Sequence, residues 1–378
     1  MKPVIFEFNE SDEHLSSHSG LALIGALLER TRLKDRIEES AKLIYRTAPL
    51  TTPLSSSSGE YVPLDIDVSP FDNSKTNKEG VSRTYKGYDG YAPIFAYVGR
   101  EGYLVNMELR EGKQHCQKDT PEFLRESLSY AKTIVKNDTL LVRMDSGNDS
   151  IDNIKVCQSE KVDWLIKRNM RREKPETWLE IAQEHGEKVC SREGKTVWEG
   201  TIFRDVEGFE ESLQIIFSVT ERTVTPDGQV LLLPEIEVET YWTSLAVSPC
   251  EAIDIYQKHG ECEQYHSELK TDMDLERLPS EYFSTNAVVM MIGMLAYNLL
   301  RLCGQESLRE DNGNIMQRPR FRRKAGRRRL RTVMQDLMYM ACKITHHARK
   351  WFIAFGRYSH WSKVWLSIYT RFREPVTV

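Results

Sequence analysis

The chain has 378 residues, 40% hydrophobic and 29% charged, a globular balance that excludes a disordered or collagen-like protein. Its net charge of −4 is unevenly placed: residues 318–378 hold 16 Lys/Arg against 2 Asp/Glu, a net of +14, which leaves −18 on the rest. A basic tail on an acidic body points to an anionic polymer as partner.

The length allows two or three domains, or one with a large insertion. Seven cysteines stand at 116, 157, 190, 250, 262, 303 and 342 with no Cys-x-x-Cys pair, which argues against a structural zinc site and suits a reducing cytoplasm. The first residues, Met1-Lys-Pro-Val-Ile-Phe-Glu-Phe8, contain no apolar run of signal length. Residues 287–300 are apolar but short for a bilayer span, and Asn298 interrupts them, so a buried core helix and no membrane partner are expected.

In chain order, residues 20–39 have helical periodicity, and 46–61, rich in Thr, Pro and Ser, read as a linker. Residues 62–68 read as a strand with Leu64, Ile66 and Val68 on one face and Asp65 and Asp67 on the other. A hairpin is expected over 91–98 and 103–109, and a helix over 120–135 with Thr120 as N-cap and Pro121 at N1. A buried strand then ends on Asp145, followed by a helix over 150–160 and a strand over 163–167. Residues 196–203, 212–219 and 230–246 are β-rich, with a turn at 225–228. Helices are expected again over 249–305, and one or two more in the basic 318–378. The expected parts are therefore a short helical segment with linker (1–60), a first α/β core segment (61–170), a β-rich insertion (171–248), a second core segment bearing the active helix (249–310) and a basic helical region (311–378).

The stretch from Tyr256 to Lys270 carries the densest chemistry. On a regular helix turning ~100° per residue, Tyr256, His259, Glu263 and Lys270 fall within about 60° of one another, giving a polar stripe rather than a core face. Asp67, Asp145 and Glu263, two strand-borne acids and one helix-borne acid, make a set that could hold two hard cations such as Mg²⁺ and act on phosphodiesters. Asp65 competes with Asp67 as first ligand, because it shares the same face. Lys270 offers a point charge to a phosphate, and Tyr256 a hydroxyl and a ring. Between Arg318 and Arg331 nine of fourteen residues are cationic, among them Arg322, Arg323, Arg327, Arg328, Arg329 and Arg331, which suits a nucleic-acid backbone. Trp351, Trp361 and Trp365 read as packing aromatics.

The spacing of Tyr256, His259, Glu263 and Lys270 resembles the Tyr-x2-Arg-x3-Glu-x6-Lys motif of DDE-class bacterial insertion-sequence transposases. The branch it most resembles is the IS-thirteen-eighty group, related to the IS-four group. Leu64-Asp-Ile-Asp67-Val-Ser, Lys78-Glu-Gly80, Arg143-Met-Asp145-Ser-Gly-Asn-Asp149, Asp163-Trp-Leu-Ile-Lys-Arg-Asn169, His266-Ser-Glu-Leu-Lys270-Thr-Asp and Ala296-Tyr-Asn-Leu-Leu300 also match, in order. The resemblance implies an α/β, RNase H-like core with a β-rich insertion and helical N- and C-terminal parts. It implies Asp67, Asp145 and Glu263 as ligands of two Mg²⁺ ions, with Mn²⁺ as a substitute, and Tyr256, His259 and Lys270 as contacts to DNA. It further implies a bacterial, cytoplasmic, nucleoid-associated enzyme that cleaves transposon ends and transfers strands as a homodimer on double-stranded DNA. The alternatives are a nuclease that cuts without joining and an inactive DNA-binding descendant. The chain departs from the motif at His259, where the family has Arg and a bidentate phosphate contact. Its segment before Asp67 is also shorter than in relatives.

Overall fold

The computed structural model describes residues 14–31, 53–57, 59–135, 139–225, 227–309, 326–356 and 359–373. The chain divides into two compact units, Ala48–Asn298 and Met1–Thr47 with Leu299–Val378. The strands in chain order are β1 (His14–Ser16), β2 (Leu54–Ser56), β3 (Gly59–Val68), β4 (Phe71–Asp72), β5 (Ser82–Arg83), β6 (Asp89–Tyr91), β7 (Ile94–Val98), β8 (Tyr103–Glu108), β9 (Thr139–Met144), β10 (Asp163–Lys167), β11 (Gly186–Arg192), β12 (Lys195–Arg204), β13 (Leu213–Val224), β14 (Val230–Thr243), β15 (Cys342–His347) and β16 (Lys350–Phe355).

The larger unit is built on one mixed sheet in the order β11-β12-β13-β14-β10-β9-β3-β7-β8, with β2 paired to β3. Strands β3, β9 and β10 are parallel, while β7 and β8 run antiparallel on one side and β14 to β11 on the other. Parallel strands need coverage on both faces and read as continuous apolar runs, as Leu140-Leu-Val142 does here. The β-rich stretch after β10 prolongs this sheet through β14. It also contains a helix, Pro175–His185, whose Trp178 is buried against Phe217 of β13.

The helix Thr120–Ile134 starts one residue earlier than expected at its cap. Asp119 takes the N-cap in a left-handed conformation, and the Thr120 hydroxyl donates to the Cys116 carbonyl. The helix that carries the apolar stretch 287–300 runs over Phe283–Ser307, 25 residues, long and apolar enough to cross a membrane by those measures. Within the larger unit it serves the sheet edge: the Asn298 amide accepts from Leu104 N–H (3.0 Å) and donates to Leu104 C=O (2.7 Å) on β8. The polar residue that interrupts the apolar run thus pairs with both backbone groups of an edge-strand residue.

The core beneath the site is a cluster of Leu54, Tyr61, Leu141, Leu165, Ile216, Tyr241 and Leu245 with Ala252, Ile253 and Ile255 of the helix Pro249–Gln257. That helix begins with Ser248 accepting from Glu251 N–H and Pro249 at its first turn, a standard start.

In the smaller unit, β1, β15 and β16 form an antiparallel sheet. The region expected to hold a basic segment and one or two helices contains a hairpin as well as the helix Ser362–Arg373. The helix expected over 20–39 is described over Gly20–Thr31, and the rest of that expectation lies outside the described residues.

Candidate active site

Asp65 and Asp67 sit two residues apart on β3 and so face the same side of the sheet. On the parallel neighbour β9, Asp65 pairs in register with Arg143 and Ile66 with Met144, so Asp67 and Asp145 come next, side by side at the carboxyl ends of their strands. The open end of parallel strands is where α/β sheets place ligands. One pocket there is lined by Asp67, Asp145, Tyr256, His259, Glu263 and Lys270, the full set singled out in the sequence.

The helical arm that carries four of these is not the regular helix expected. It runs as the α-helix Pro249–Gln257, a 3₁₀ turn Lys258–Gly260, the α-helix Glu261–Ser267 and a π turn Glu268–Asp272. The tightened and widened turns alter the ~100° step, so the residues meet at one pocket without sharing a regular stripe. The Ile255 carbonyl accepts a 2.6 Å hydrogen bond from Arg143, which pins this arm to β9.

The two aspartates of β3 have different surroundings. Asp65 is 1% exposed. Arg143 grips it with Nε on Oδ1 and Nη2 on Oδ2, both at 2.6 Å, and His259 Nδ1 lies 2.9 Å from Oδ1. Burial alone would raise the Asp65 pKa, but the Arg143 charge and the His259 hydrogen bond hold it below the ordinary value. His259, where the family motif has Arg, is thus turned inward as a structural partner of Asp65. Asp65, His259 and Cys262 also place one ligand atom each within 4.8 Å of one another. Arg143 already covers both Asp65 oxygens, so this cluster is a neutralised ion-pair network rather than an open coordination site.

Asp67 opens on the pocket. Its Oδ1 accepts from Val68 N–H at 2.7 Å, and its Oδ2 lies 3.0 Å from His266 Nε2. Burial raises the Asp67 pKa, but the His266 contact, together with His259 and the Val68 N–H, holds the group below the ordinary value. Asp145 is raised, first by burial and next by the negative charge of Asp67. It accepts from Asn148 N–H and, at 2.9 Å, from the Asn148 side chain, and no cation pairs with it among the described residues. Two neighbouring carboxylates in a partly dry pocket, with exposed Glu263 on its wall, form an all-oxygen donor set whose repulsion a divalent cation would relieve.

Lys270 donates to the Pro70 carbonyl at 2.7 Å and lies 5.5 Å from the centre of the Phe71 ring. Desolvation lowers its pKa to about 8. It therefore ties the turn after Asp67 to the π segment. Tyr256 is packed 4.8 Å from Tyr241, ring to ring, and 5.6 Å from His259, and burial raises its pKa.

The sequence reading assigned His266 no role, although it sits three residues after Glu263. It is 5% exposed and bridges the buried Tyr97 hydroxyl (3.1 Å from Nδ1) and Asp67. A carboxylate only accepts, so Nε2 donates to Asp67, while Nδ1 meets the Tyr97 hydroxyl.

Of the basic run, Arg322 and Arg323 lie outside the described residues. Arg328 corrects the expectation of an outward DNA contact: it is 8% exposed, ion-paired with Asp336, hydrogen-bonded to Ser307 at 3.1 Å and stacked 4.4 Å over Trp361. Arg327 is half-buried, and Arg329 and Arg331 are exposed. Trp365 is buried as expected, but Trp351 is 72% exposed.

An α/β sheet with paired acids at the ends of adjacent strands and a third on a packed helical arm defines the class. The chain belongs to the transposase DDE domain group 1 family, whose model matches residues 51–376. No curated protein matches the sequence. Among solved structures the chain is similar to a piggyBac transposase in a synaptic complex with hairpin DNA. The identity is 10% over 95% of this chain and 72% of that one, with a TM-score of 0.37. It is also similar to the NurA nuclease from Sulfolobus solfataricus at 10% identity over 73% of this chain and 96% of that one, with a TM-score of 0.24. Both likenesses are too distant to assign a role to any residue.

Proposed function

We propose that this transposase cleaves DNA phosphodiesters at transposon ends and joins the freed 3′-hydroxyls to target DNA, with Asp67, Asp145 and Glu263 holding two divalent cations, Mg²⁺ or Mn²⁺. The observation that carries the proposal is the convergence of these three acids on one pocket at the open end of β3 and β9. Bound cations would supply Lewis acidity for the attacking and leaving oxygens. Asp67 and Asp145 would hold them from the rigid sheet, and Glu263 would close the site from the helical arm. His266 would keep Asp67 oriented, and the Lys270 bond to Pro70 would fix the turn beside it. Double-stranded DNA carrying the terminal repeats, paired by two copies of the chain, is the expected substrate.

The test is incubation of purified protein with its own flanking DNA ends and Mg²⁺. Cleavage at the ends is expected, followed by joining when target DNA is present. Asp67→Asn should abolish both and leave DNA affinity within about twofold. Cleavage that persists in Asp67→Asn removes that residue from the metal set, and cleavage without joining turns the reading into a nuclease.

A further inference from the structure

The β15–β16 hairpin lies far along the chain from the pocket acids and no role has yet fallen to it. Its register pairs His346 with Trp351, Ile344 with Ile353 and Cys342 with Phe355, so these six side chains share one face. The other face carries Lys343, Thr345 and His347 opposite Ala354, Phe352 and Lys350. The base of the hairpin is anchored: Cys342 is buried, and the Phe355 ring packs 4.9 Å from buried Trp365, which stacks on Tyr369 at 5.2 Å. Toward the tip every residue from His346 to Ala354 is exposed. Trp351 is 72% and Phe352 48% exposed, and the Trp351 ring lies 4.5 Å from the ring of His346. The turn is tight, with Ala348 and Arg349 both at positive φ, which matches the twist of a two-residue hairpin.

Trp351, Phe352 and Ile353 are three consecutive exposed apolar residues at the hairpin tip, a cluster of the kind that marks an interaction site rather than the scattered single residues any surface carries. Charge selects the occupant. From Cys342 to Phe355 the hairpin carries Lys343, Arg349 and Lys350 and no acid. A cationic strand pair with outward aromatics fits a polyanion that also offers π faces, which is nucleic acid with unstacked bases. An apolar protein partner would not need the cations, and the bases of an intact duplex hide their faces in the stack.

We propose that the β15–β16 hairpin binds unpaired DNA at its tip, with Trp351 on one face as the stacking surface for a base, Phe352 on the other face as a second, and Arg349 and Lys350 of the turn on the adjoining phosphates. This rests on the reading of the chain as a DNA-acting transposase and adds a second contact surface to it.

The test measures binding of the full-length protein, without divalent metal, to a fluorescein-labelled oligo-dT and to a labelled duplex. Trp351→Ala should weaken oligo-dT binding about tenfold, the loss of one stacked base, while duplex affinity stays within about twofold. Trp351→Tyr, which keeps a ring, should restore most of the loss. Unchanged oligo-dT binding in Trp351→Ala, equal weakening on both DNAs, or a shift in oligomeric state with oligo-dT affinity unaltered would each overturn the proposal. The failures separate from those of the pocket. Normal Mg²⁺-dependent end cleavage with no Trp351 effect removes the hairpin alone, and a Trp351 effect without any cleavage removes the pocket reading alone.

Discussion

Two levels of the same sheet face, one residue pair apart, meet charge in opposite ways. At the inner level Asp65 faces Arg143 across β3 and β9, both are buried, and His259 takes the remaining approach to the carboxylate. At the outer level Asp67 faces Asp145, and no cation pairs with Asp145 among the described residues. The inner pair is a satisfied ion pair that locks the helical arm onto the sheet. The outer pair is a repulsive couple, held in place by its own hydrogen bonds and by the rigidity of the level beneath. Identical residues at i and i+2 of one strand thus divide between a buried ion pair and an open pocket, and what divides them is the residue opposite on β9.

The comparison breaks first at Arg143. Arg143→Ala would leave Asp65 buried without its guanidinium and free the Ile255 carbonyl, and breaking a buried pair by removing one partner costs roughly 3–5 kcal/mol. Urea unfolding should show a loss of that order. A loss under about 1 kcal/mol would mean that water reaches the pair. Asp65→Asn should likewise act on stability before chemistry. Asp67→Asn, whose side chain opens on the pocket, should act on cleavage and leave the unfolding midpoint nearly unchanged.

Much of this division was legible in the chain. Alternation in β3 placed both acids on one face, and the polar exit after Asp145 marked a strand end. The choice between Asp65 and Asp67 was not legible, because it depends on which residue of β9 stands beside each, a register that no local pattern encodes. The helical arm was seen as helix, yet its 3₁₀ and π turns have no local signal, and tertiary bonds hold the arm on either side of them: Arg143 to the Ile255 carbonyl, and Lys270 to the Pro70 carbonyl. Charge density in the tail correctly marked a basic region but could not separate Arg328, folded onto Asp336 and Trp361, from its neighbours. The tail hairpin was missed because Cys342–His347 and Lys350–Phe355 lack the Gly or Asn turn that announces such a motif.

His266 sharpens the outer level. His266→Phe keeps a ring against Phe95 and Tyr97 but removes the hydrogen bond that orients Asp67. Loss of a supporting partner of this kind typically costs 10–100-fold in metal affinity or activity. The Mg²⁺ concentration needed for half-maximal cleavage should therefore rise by about that factor, with His266→Gln in between. A purely structural role would lower the melting temperature and leave the Mg²⁺ requirement of the folded enzyme unaltered.

The smallest effect tests the repulsion itself. Asp145 has its folded-state pKa raised above the ordinary value near 3.8, by burial and by Asp67. The native state then binds more protons there than the unfolded chain, so this group's contribution to stability falls as pH rises from about 3.8 through the raised value. Asp65 has the opposite sign: its contribution is present above its ordinary value and lost as pH falls through the depressed one. Asp145→Asn keeps an oxygen to accept from Asn148 and deletes the charge. The variant should therefore be more stable than wild type at neutral pH, by the ~0.2–1 kcal/mol typical of a cross-strand charge pair. The gap should close in acid, where wild-type Asp145 is protonated in both states. Added Mg²⁺ should reverse the order, because a cation that binds only the folded wild type stabilises it by mass action. Thermal unfolding of both proteins across this pH range, with and without Mg²⁺, measures all three. If Asp145→Asn is the less stable protein at neutral pH in the absence of metal, the two carboxylates do not repel one another, and the outer level is as well satisfied as the inner.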